Sequence, residues 1–186
     1  AEKLAGLLEG ALEFGRKVSE LTMAGLTPDE VAALYLYTCE THFYRHINAS
    51  LRDRSRAEVP AYFPYLRLFF SALGKLPGKN LSLYRGVRLD LRKQYPKGGT
   101  VVWWGVSSCT PKLSVAQNFM GNAGKRTLFE ITPRAAYSIK NFSAFTGEEE
   151  YVLPPGTRLN VVDIETERSG LCKIRLEEAA GERLVA

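Results

Sequence analysis

The sequence predicts an α+β fold in which an N-terminal helical region, residues 1–79, precedes a β-rich core, residues 80–186. The first region combines residues of high helix propensity with apolar side chains spaced three and four apart. After Asn80 the chain changes to short β-rich runs separated by turn residues. A chain of 186 residues, 45% of them hydrophobic, is the size of one ordinary domain, so we predict a single domain spanning residues 1–186.

The helical region is predicted to contain three helices. The first covers Ala5–Leu21, which is rich in Ala, Leu, Glu and Lys. The second begins after Thr27, because Thr27 can cap a helix, Pro28 suits the first helical position and Glu30 completes a capping box. Spacings of three and four then predict one long helix, whose buried face comprises Leu34, Tyr37, Thr41, Tyr44, Ile47 and Leu51.

The third helix is predicted at Tyr62–Leu73, after the polar stretch Arg52–Glu58 and before a linker at Gly74–Asn80. The core that follows is predicted to form a sandwich or a barrel-like sheet. Its strands are expected at Leu81–Val87, Thr100–Val106, Thr127–Ile131, Tyr137–Ile139, Tyr151–Leu153, Thr157–Ile164 and Leu171–Glu177.

One short helix is predicted to interrupt the strands. Thr110 can cap it and Pro111 opens it. Val115, Ala116 and Phe119 would form its apolar face.

The composition limits the class of partner. The net charge of +5 and the pI of about 9.1 suit an anionic small molecule, an acidic membrane face or nucleic acid. No stripe of aromatic and basic residues is evident, so we predict no nucleic-acid partner. No apolar run reaches the roughly 20 residues of a membrane helix, so we predict no membrane span.

The three cysteines, Cys39, Cys109 and Cys172, do not resemble a disulfide framework. We therefore expect a cytoplasmic protein. Secretion stays open, because the chain lacks an initiator Met and a trimmed signal peptide would leave no trace.

The sequence lacks the motifs of several common metal sites and enzyme classes. His42 and His46 have the helical spacing of zinc ligands, with Cys39 one turn earlier, but Phe43 stands where a metalloprotease has Glu and the chain contains no further His. We predict no metal. The sequence also contains no G-x-S-x-G, G-x-G-x-x-G or Walker motif, so a nucleophile-elbow hydrolase, a Rossmann redox enzyme and a P-loop enzyme are not predicted.

Three segments of the core are candidates for chemistry. The first contains Arg85, whose guanidinium matches phosphate, and Gly86, which would allow a ligand to approach the strand closely. An exposed strand residue is the alternative for Arg85. The second segment contains Ser107 and Ser108, small hydroxyl residues at the end of a predicted strand and just before a predicted helix. A turn followed by a helix cap, with no role in chemistry, is the alternative for this segment.

The third segment is Glu148-Glu149-Glu150, at the start of a predicted strand. If Glu150 begins that strand, Glu148 and Glu150 share a face and Glu149 points away. Two carboxylates on one face repel each other, which is unfavourable in a structural element and useful in a site. A solvated acidic turn is the alternative.

In this order the three segments resemble the arginine-serine-glutamate class of mono-ADP-ribosyltransferases, which includes vertebrate arginine-specific ectoenzymes and bacterial toxins. Arg85 matches the arginine and Ser108 the first serine of the serine motif, although Cys109 and Thr110 depart from its later residues. Glu148 and Glu150 match the Glu-x-Glu motif. The resemblance covers roughly residues 27–164, and the choice of Ser108 over Ser107 stays open.

The resemblance implies a two-sheet β-sandwich core of the ADP-ribosylating-toxin type. It also implies transfer of ADP-ribose from NAD to a protein arginine, with release of nicotinamide and without a metal. By the resemblance Glu150 stabilises the charge on the ribose, Ser108 orients Glu150 or the ribose, and Arg85 holds NAD. Glu148 would bind the acceptor guanidinium.

The resemblance also implies that Gly86, Arg88 and Phe119 contact NAD together with Arg85, Ser108 and Glu150. Phe119, followed by Lys125 and Arg126, is similar to the loop that lies over NAD in the toxins, which implies an aromatic ring for stacking and a loop cation for the pyrophosphate. A place for Phe119 in the helix core is the alternative. The expected partners are NAD and an arginine-bearing acceptor protein, and we expect a monomer. An NAD glycohydrolase, a transferase with another acceptor side chain and an inactive binding module are the competing functions.

Overall fold

The structure is a computed structural model that describes residues 2–19, 25–39, 42–55, 57–145, 147 and 149–181. It divides into two compact units. Unit 1 comprises Ala1–Pro77 and Tyr137–Glu148, and unit 2 comprises Gly78–Ala136 and Glu149–Ala186. The first division lies close to the predicted boundary between the helical region and the core. The single domain over residues 1–186 stays a prediction.

The described part of unit 1 contains four α-helices. They are α1 (Glu2–Ser19), α2 (Pro28–Thr38), α3 (His42–Arg52) and α4 (Phe63–Lys75), the last preceded by a 3-10 turn at Val59–Tyr62. The predicted first and third helices are confirmed: α1 begins three residues earlier than predicted, and α4 begins one residue and ends two residues later. The predicted end of the first helix at Leu21 lies outside the described residues. None of the described helices is both long and apolar enough to cross a membrane.

The predicted capping box at the start of α2 is confirmed. Thr27 Oγ1 accepts from the Glu30 backbone N–H at 3.3 Å, and Glu30 Oε2 accepts from the Thr27 backbone N–H at 2.7 Å. The buried Glu30 carboxylate also accepts from Ser71 Oγ at 2.6 Å and Lys75 Nζ at 2.8 Å. Burial alone would raise the pKa of Glu30, but these hydrogen bonds outweigh it and lower the pKa to about 2. This cluster, the Glu30 network, joins the start of α2 to α4.

The prediction of one long helix from Thr27 to Leu51 is wrong, because α2 ends at Thr38 and α3 begins at His42. At the break, Thr38 Oγ1 and Cys39 Sγ both donate to the Tyr35 carbonyl, at 2.7 and 3.3 Å. Side chains that take up helix carbonyls in this way bend and end helices. Thr41 lies outside the described residues.

The nine strands within the described residues are β1 (Gly78–Lys79), β2 (Leu83–Val87), β3 (Thr100–Trp103), β4 (Ser107–Cys109), β5 (Arg126–Thr132), β6 (Ala136–Ser138), β7 (Tyr151–Leu153), β8 (Thr157–Thr166) and β9 (Leu171–Glu178). They form a five-stranded sheet with the order β2–β5–β9–β8–β3 and a four-stranded sheet with the order β1–β6–β7–β4. All seven predicted strands are confirmed, and the prediction missed the short strands β1 and β4.

The core of unit 2 contains residues from both sheets, which confirms the two-sheet sandwich. Its largest members from the five-stranded sheet include Phe129 and Ile174, and Tyr151 and Leu153 contribute from the four-stranded sheet. Phe129 lies against the ring of Trp103, with a centroid distance of 5.4 Å. Burial of these side chains supplies the main driving force for folding of unit 2.

Helix α5 (Leu113–Met120) begins later than predicted, and Thr110 is not its cap. The Thr110 backbone exchanges two hydrogen bonds with Tyr84, with N–O distances of 2.9 and 2.7 Å. Thr110 is therefore held in an extended bridge between strands β4 and β2 and cannot start a helix. This bridge joins the edges of the two sheets in unit 2.

The buried face of α5 consists of Ala116 and Met120. Only Ala116 of the predicted apolar face is buried, since Val115 is 46% and Phe119 63% exposed. The alternative that Phe119 lies in the helix core is therefore wrong.

Candidate active site

The structure brings Arg85 and Ser108 together at the junction of the two sheets. Arg85 lies on β2 directly after Tyr84, whose backbone pairs with Thr110. Its half-buried guanidinium donates from Nη1 to the Ser108 carbonyl at 2.6 Å. A short bond from a charged donor is stronger than a neutral one, so Arg85 fixes the end of β4 against β2.

Strand pairing places Glu150 on the same face as Ser108. In the antiparallel β4–β7 pair, Ser108 is opposite Val152 and Cys109 is opposite Tyr151. Opposite residues share a face and neighbouring residues alternate, so continuing the alternation from Val152 to Glu150 places Glu150 on the Ser108 face. Strand β7 begins at Tyr151, so Glu150 immediately precedes the strand that it was expected to begin.

The other face of this strand pair belongs to the core. Ser107 is buried, and its Oγ donates to the Gly105 carbonyl at 3.2 Å. Cys109 is also buried and lies in the core cluster. Because Ser107 is committed to the core side, the geometry favours Ser108 as the site serine.

The pKa of the Cys109 thiol depends on its burial and on two nearby charges. Burial raises the pKa of Cys109 to about 12, the positive charge of Arg85 lowers it, and the negative charge of Glu150 raises it. Arg85 and Glu150 therefore both lie within electrostatic reach of the Cys109 thiol. Three of the predicted site residues, Arg85, Ser108 and Glu150, meet in unit 2.

The rest of the acidic run is only partly described. Glu148 lies outside the described residues. Glu149 Oε2 forms an ion pair with Lys112 Nζ at 3.2 Å, just before α5. Lys112 belongs to none of the predicted motifs, although a lysine at the start of a helix, where the helix dipole disfavours a cation, indicates an acidic partner elsewhere in the chain.

The structure also brings Arg88 and Phe119 together. Arg88 Nε donates to the Phe119 carbonyl at 2.8 Å, and the guanidinium carbon lies 5.5 Å from the centroid of the Phe119 ring. The ring is exposed at the end of α5. An aromatic surface beside a cation is suited to a nucleotide, which carries flat rings and phosphates.

Gly86 is explained by helix packing. A Cβ on Gly86 would lie 2.5 Å from the Ala116 carbonyl oxygen and would also clash with the Met120 side chain. The glycine therefore lets α5 lie directly on β2. The approach of a ligand to the Gly86 backbone stays a prediction.

Arg126 does not act as the predicted loop cation. Its side chain is buried, and Nη1 donates to the Gly124 carbonyl at 2.9 Å and the Ser169 carbonyl at 3.0 Å. Arg126 therefore ties two turns together at the start of β5. Lys125, the other predicted cation, is exposed.

No potential metal cluster of three or more His, Cys, Asp and Glu side chains is found among the residues that the structure describes. All three cysteines are free thiols. Cys109 and Cys172 are buried, and Cys39 is partly exposed.

Comparison with known proteins gives a family. Residues 12–183 match the family model described as NAD:arginine ADP-ribosyltransferase. The chain is 31% identical over 163 residues to the human GPI-linked NAD(P)(+)--arginine ADP-ribosyltransferase 1, which covers 82% of this chain and 48% of that protein. The chain thus spans about half the length of the curated relatives it matches.

Two solved structures share the fold. One is a mutant of the eucaryotic mono-ADP-ribosyltransferase ART2.2 in complex with NADH, with a TM-score of 0.72 and 21% identity over 100% of this chain and 84% of that chain. The other is the ADP-ribosyltransferase Vis in complex with agmatine, with a TM-score of 0.69 and 22% identity over 95% of this chain and 86% of that chain.

Proposed function

The chain belongs to the NAD:arginine ADP-ribosyltransferase family, and from this premise we propose that it transfers ADP-ribose from NAD to an arginine of an acceptor protein. The observation that carries the proposal is the Arg85–Ser108 contact, with Glu150 on the Ser108 face of the same strand pair. These are the three residues expected for the family, and the Arg85–Ser108 contact together with the strand register at Glu150 supports their assignment to one site.

Glu150 is proposed to stabilise the transition state. When the bond between ribose and nicotinamide breaks, the electron pair leaves with nicotinamide and positive charge develops on the ribose. A fixed carboxylate beside that carbon lowers the energy of the charge as it forms. Ser108, which lies on the same face, would orient Glu150 or the ribose.

The NAD-binding set is proposed to be Arg85, Gly86, Arg88, Ser108, Phe119 and Glu150. Arg85 contributes a fixed positive charge, because its bond to the Ser108 carbonyl holds the guanidinium in one place. A guanidinium held in this way attracts the NAD phosphates without first losing its own freedom. NAD is a substrate in this scheme, and the residues that act on it need no metal.

Glu148 is proposed to bind the acceptor. A guanidinium is protonated at physiological pH, so it needs a carboxylate to hold it and to take up its proton as the new bond forms. The family name and the complex of Vis with agmatine, a guanidinium compound, support arginine as the acceptor.

The compartment is proposed from the relatives. The human relative is GPI-linked, so we propose an extracellular or cell-surface location. The cytoplasmic location expected from the cysteines has no support in the comparisons. The monomeric state stays a prediction.

The test is incubation with NAD and agmatine, with nicotinamide release and ADP-ribosyl-agmatine measured together. We expect both products, and Glu150→Gln should lower both rates by roughly a hundredfold or more, as expected for loss of a charge-stabilising group. Glu149→Gln is the matched control, because Glu149 is paired with Lys112.

Two results would contradict the proposal. Nicotinamide release without ADP-ribosyl-agmatine would assign an NAD glycohydrolase, in which water is the acceptor. Wild-type rates in folded Glu150→Gln would remove Glu150 from the chemistry.

A further inference from the structure

Arg88 follows strand β2, and Phe119 lies in the last turn of α5. Resting on the proposed function, we infer that Arg88 is a positioning residue, which holds Phe119 as the surface on which a flat ring of NAD stacks. The inference concerns how Arg88 acts on NAD, namely through Phe119.

One arginine side chain makes two contacts with Phe119. Its Nε donates to the Phe119 carbonyl at 2.8 Å, and its guanidinium lies over the Phe119 ring at 5.5 Å from the centroid. The first contact fixes the backbone, and the second favours one orientation of the ring. A lysine cannot make both, because it has neither the planar group nor a donor in the Nε position.

The end of α5 requires such a partner. The last carbonyls of a helix have no partner within the helix, and a cation near the C-terminus is favourable. The helix ends at Met120, and Gly121, with φ of +73°, leads the chain away. Arg88 therefore satisfies one of the terminal carbonyls while it covers one side of an exposed ring.

Residues 85–88, which comprise the end of β2 and the residue after it, contact the other predicted site residues. Arg85 binds the Ser108 carbonyl, Gly86 accommodates the backbone of α5, and Arg88 holds Phe119. The position of Phe119 relative to Arg85 is thus set within the four residues 85–88. This is the arrangement expected if the ring and the guanidinium of Arg85 act on one ligand.

The first experiment uses the ligand-free protein. Chymotrypsin cleaves after phenylalanine, so the Phe119–Met120 bond reports on how firmly the end of α5 is held. Arg88→Gln and Arg88→Lys should each speed this cleavage, measured by mass spectrometry of the fragment, by about threefold to tenfold. Arg158→Gln, which changes an exposed arginine on β8, is the matched control and should leave the rate unchanged.

The second experiment measures NAD affinity by calorimetry in the Glu150→Gln background, in which turnover is expected to be slower by roughly a hundredfold or more. Arg88→Gln should weaken NAD binding by about threefold to tenfold, and Phe119→Leu by about tenfold. The double variant should bind within about twofold of Phe119→Leu, because residues that act through one another are not additive.

Three outcomes would overturn the inference. The first is a rate of cleavage after Phe119 that is unchanged in the Arg88 variants. The second is a loss of NAD affinity in the double variant that equals the sum of the two single losses. The third is full NAD affinity in Arg88→Lys, which would show that charge alone matters. If the protein with Arg88 and Phe119 intact binds no NAD, the proposed function fails as well. The cleavage rates then still show whether Arg88 holds Phe119 in the free protein.

Discussion

The Glu30 network of unit 1 and the acidic run of unit 2 use the same side chains in different ways. Glu30 is 3% exposed and accepts hydrogen bonds from a lysine, a serine and a backbone amide. Glu149 is paired with Lys112 at 3.2 Å, and both side chains are substantially exposed, at 38% and 59%. Removing one partner of a buried carboxylate–lysine pair costs about 3–5 kcal/mol, because it leaves an uncompensated buried charge, whereas an exposed pair contributes only about 0–1 kcal/mol. The comparison shows that burial, more than residue type, decides which acids stabilise the fold.

The largest expected effect tests Glu30 through pH. The pKa of Glu30 in the folded protein, about 2, lies below the 4.5 of a glutamate in an unfolded chain, so the stabilisation is present above the unfolded pKa. It is lost as the pH falls from about 5 towards 2, because the unfolded state binds the proton first. The loss should reach about 3 kcal/mol in the free energy of unfolding, measured by urea denaturation.

Glu30→Gln is the variant that isolates this carboxylate. It should remove most of the stability difference between pH 6 and pH 3 that the network contributes, while activity per folded molecule at neutral pH is kept. If the stability of Glu30→Gln depended on pH as strongly as that of the wild-type protein, other carboxylates would be responsible for the pH dependence.

The next effect separates the site arginine from a structural one. Arg85→Ala should lower NAD turnover by about tenfold to a hundredfold with little change in Tm, because Arg85 acts on the ligand and on one carbonyl. Ser108→Ala should likewise lower turnover with little change in Tm.

Arg126→Ala is the contrast to Arg85→Ala, since it removes a buried side chain that donates to the carbonyls of two turns. It should cost about 1–3 kcal/mol of stability and leave activity per folded molecule intact. Unfolding by Arg85→Ala with unchanged specific activity would make Arg85 structural too.

A smaller effect is expected for Glu148→Gln. The substitution removes the charge that would hold the acceptor guanidinium, an interaction worth about 1.5–3 kcal/mol. Transfer to agmatine should fall by at least about tenfold, since about 1.4 kcal/mol is one power of ten, while hydrolysis of NAD falls little. Parallel assays of ADP-ribosyl-agmatine and nicotinamide check this. Equal loss of both activities would place Glu148 in the NAD site instead.

The smallest effect is expected at the exposed Lys112–Glu149 ion pair. Lys112→Met should change the free energy of unfolding by no more than about 1 kcal/mol, because an exposed ion pair gains little and is screened by salt. Thermal unfolding at low and high salt measures it. A loss as large as that expected for Glu30 would mean that burial is not what separates the two pairs.

Local sequence determined those elements whose signals lie within a few residues. The capping box of Thr27, Pro28 and Glu30 fixed the start of α2, because all its bonds join residues three apart. Strand β7 has the predicted bounds. The motif order also selected Arg85, Ser108 and Glu150, three residues that the structure brings together.

Other features, such as the start of α5 and the position of Arg126, depend on residues that are distant in the chain and become neighbours only in the folded protein. Thr110 looked like a helix cap, but its backbone is taken by Tyr84, and α5 therefore starts at Leu113. Arg126 followed the pattern of a loop cation, but the Ser169 carbonyl holds it in the interior. A local pattern states what a residue can form with its neighbours. Which of those options is realised depends on the hydrogen bonds and burial that distant segments provide once the chain has folded.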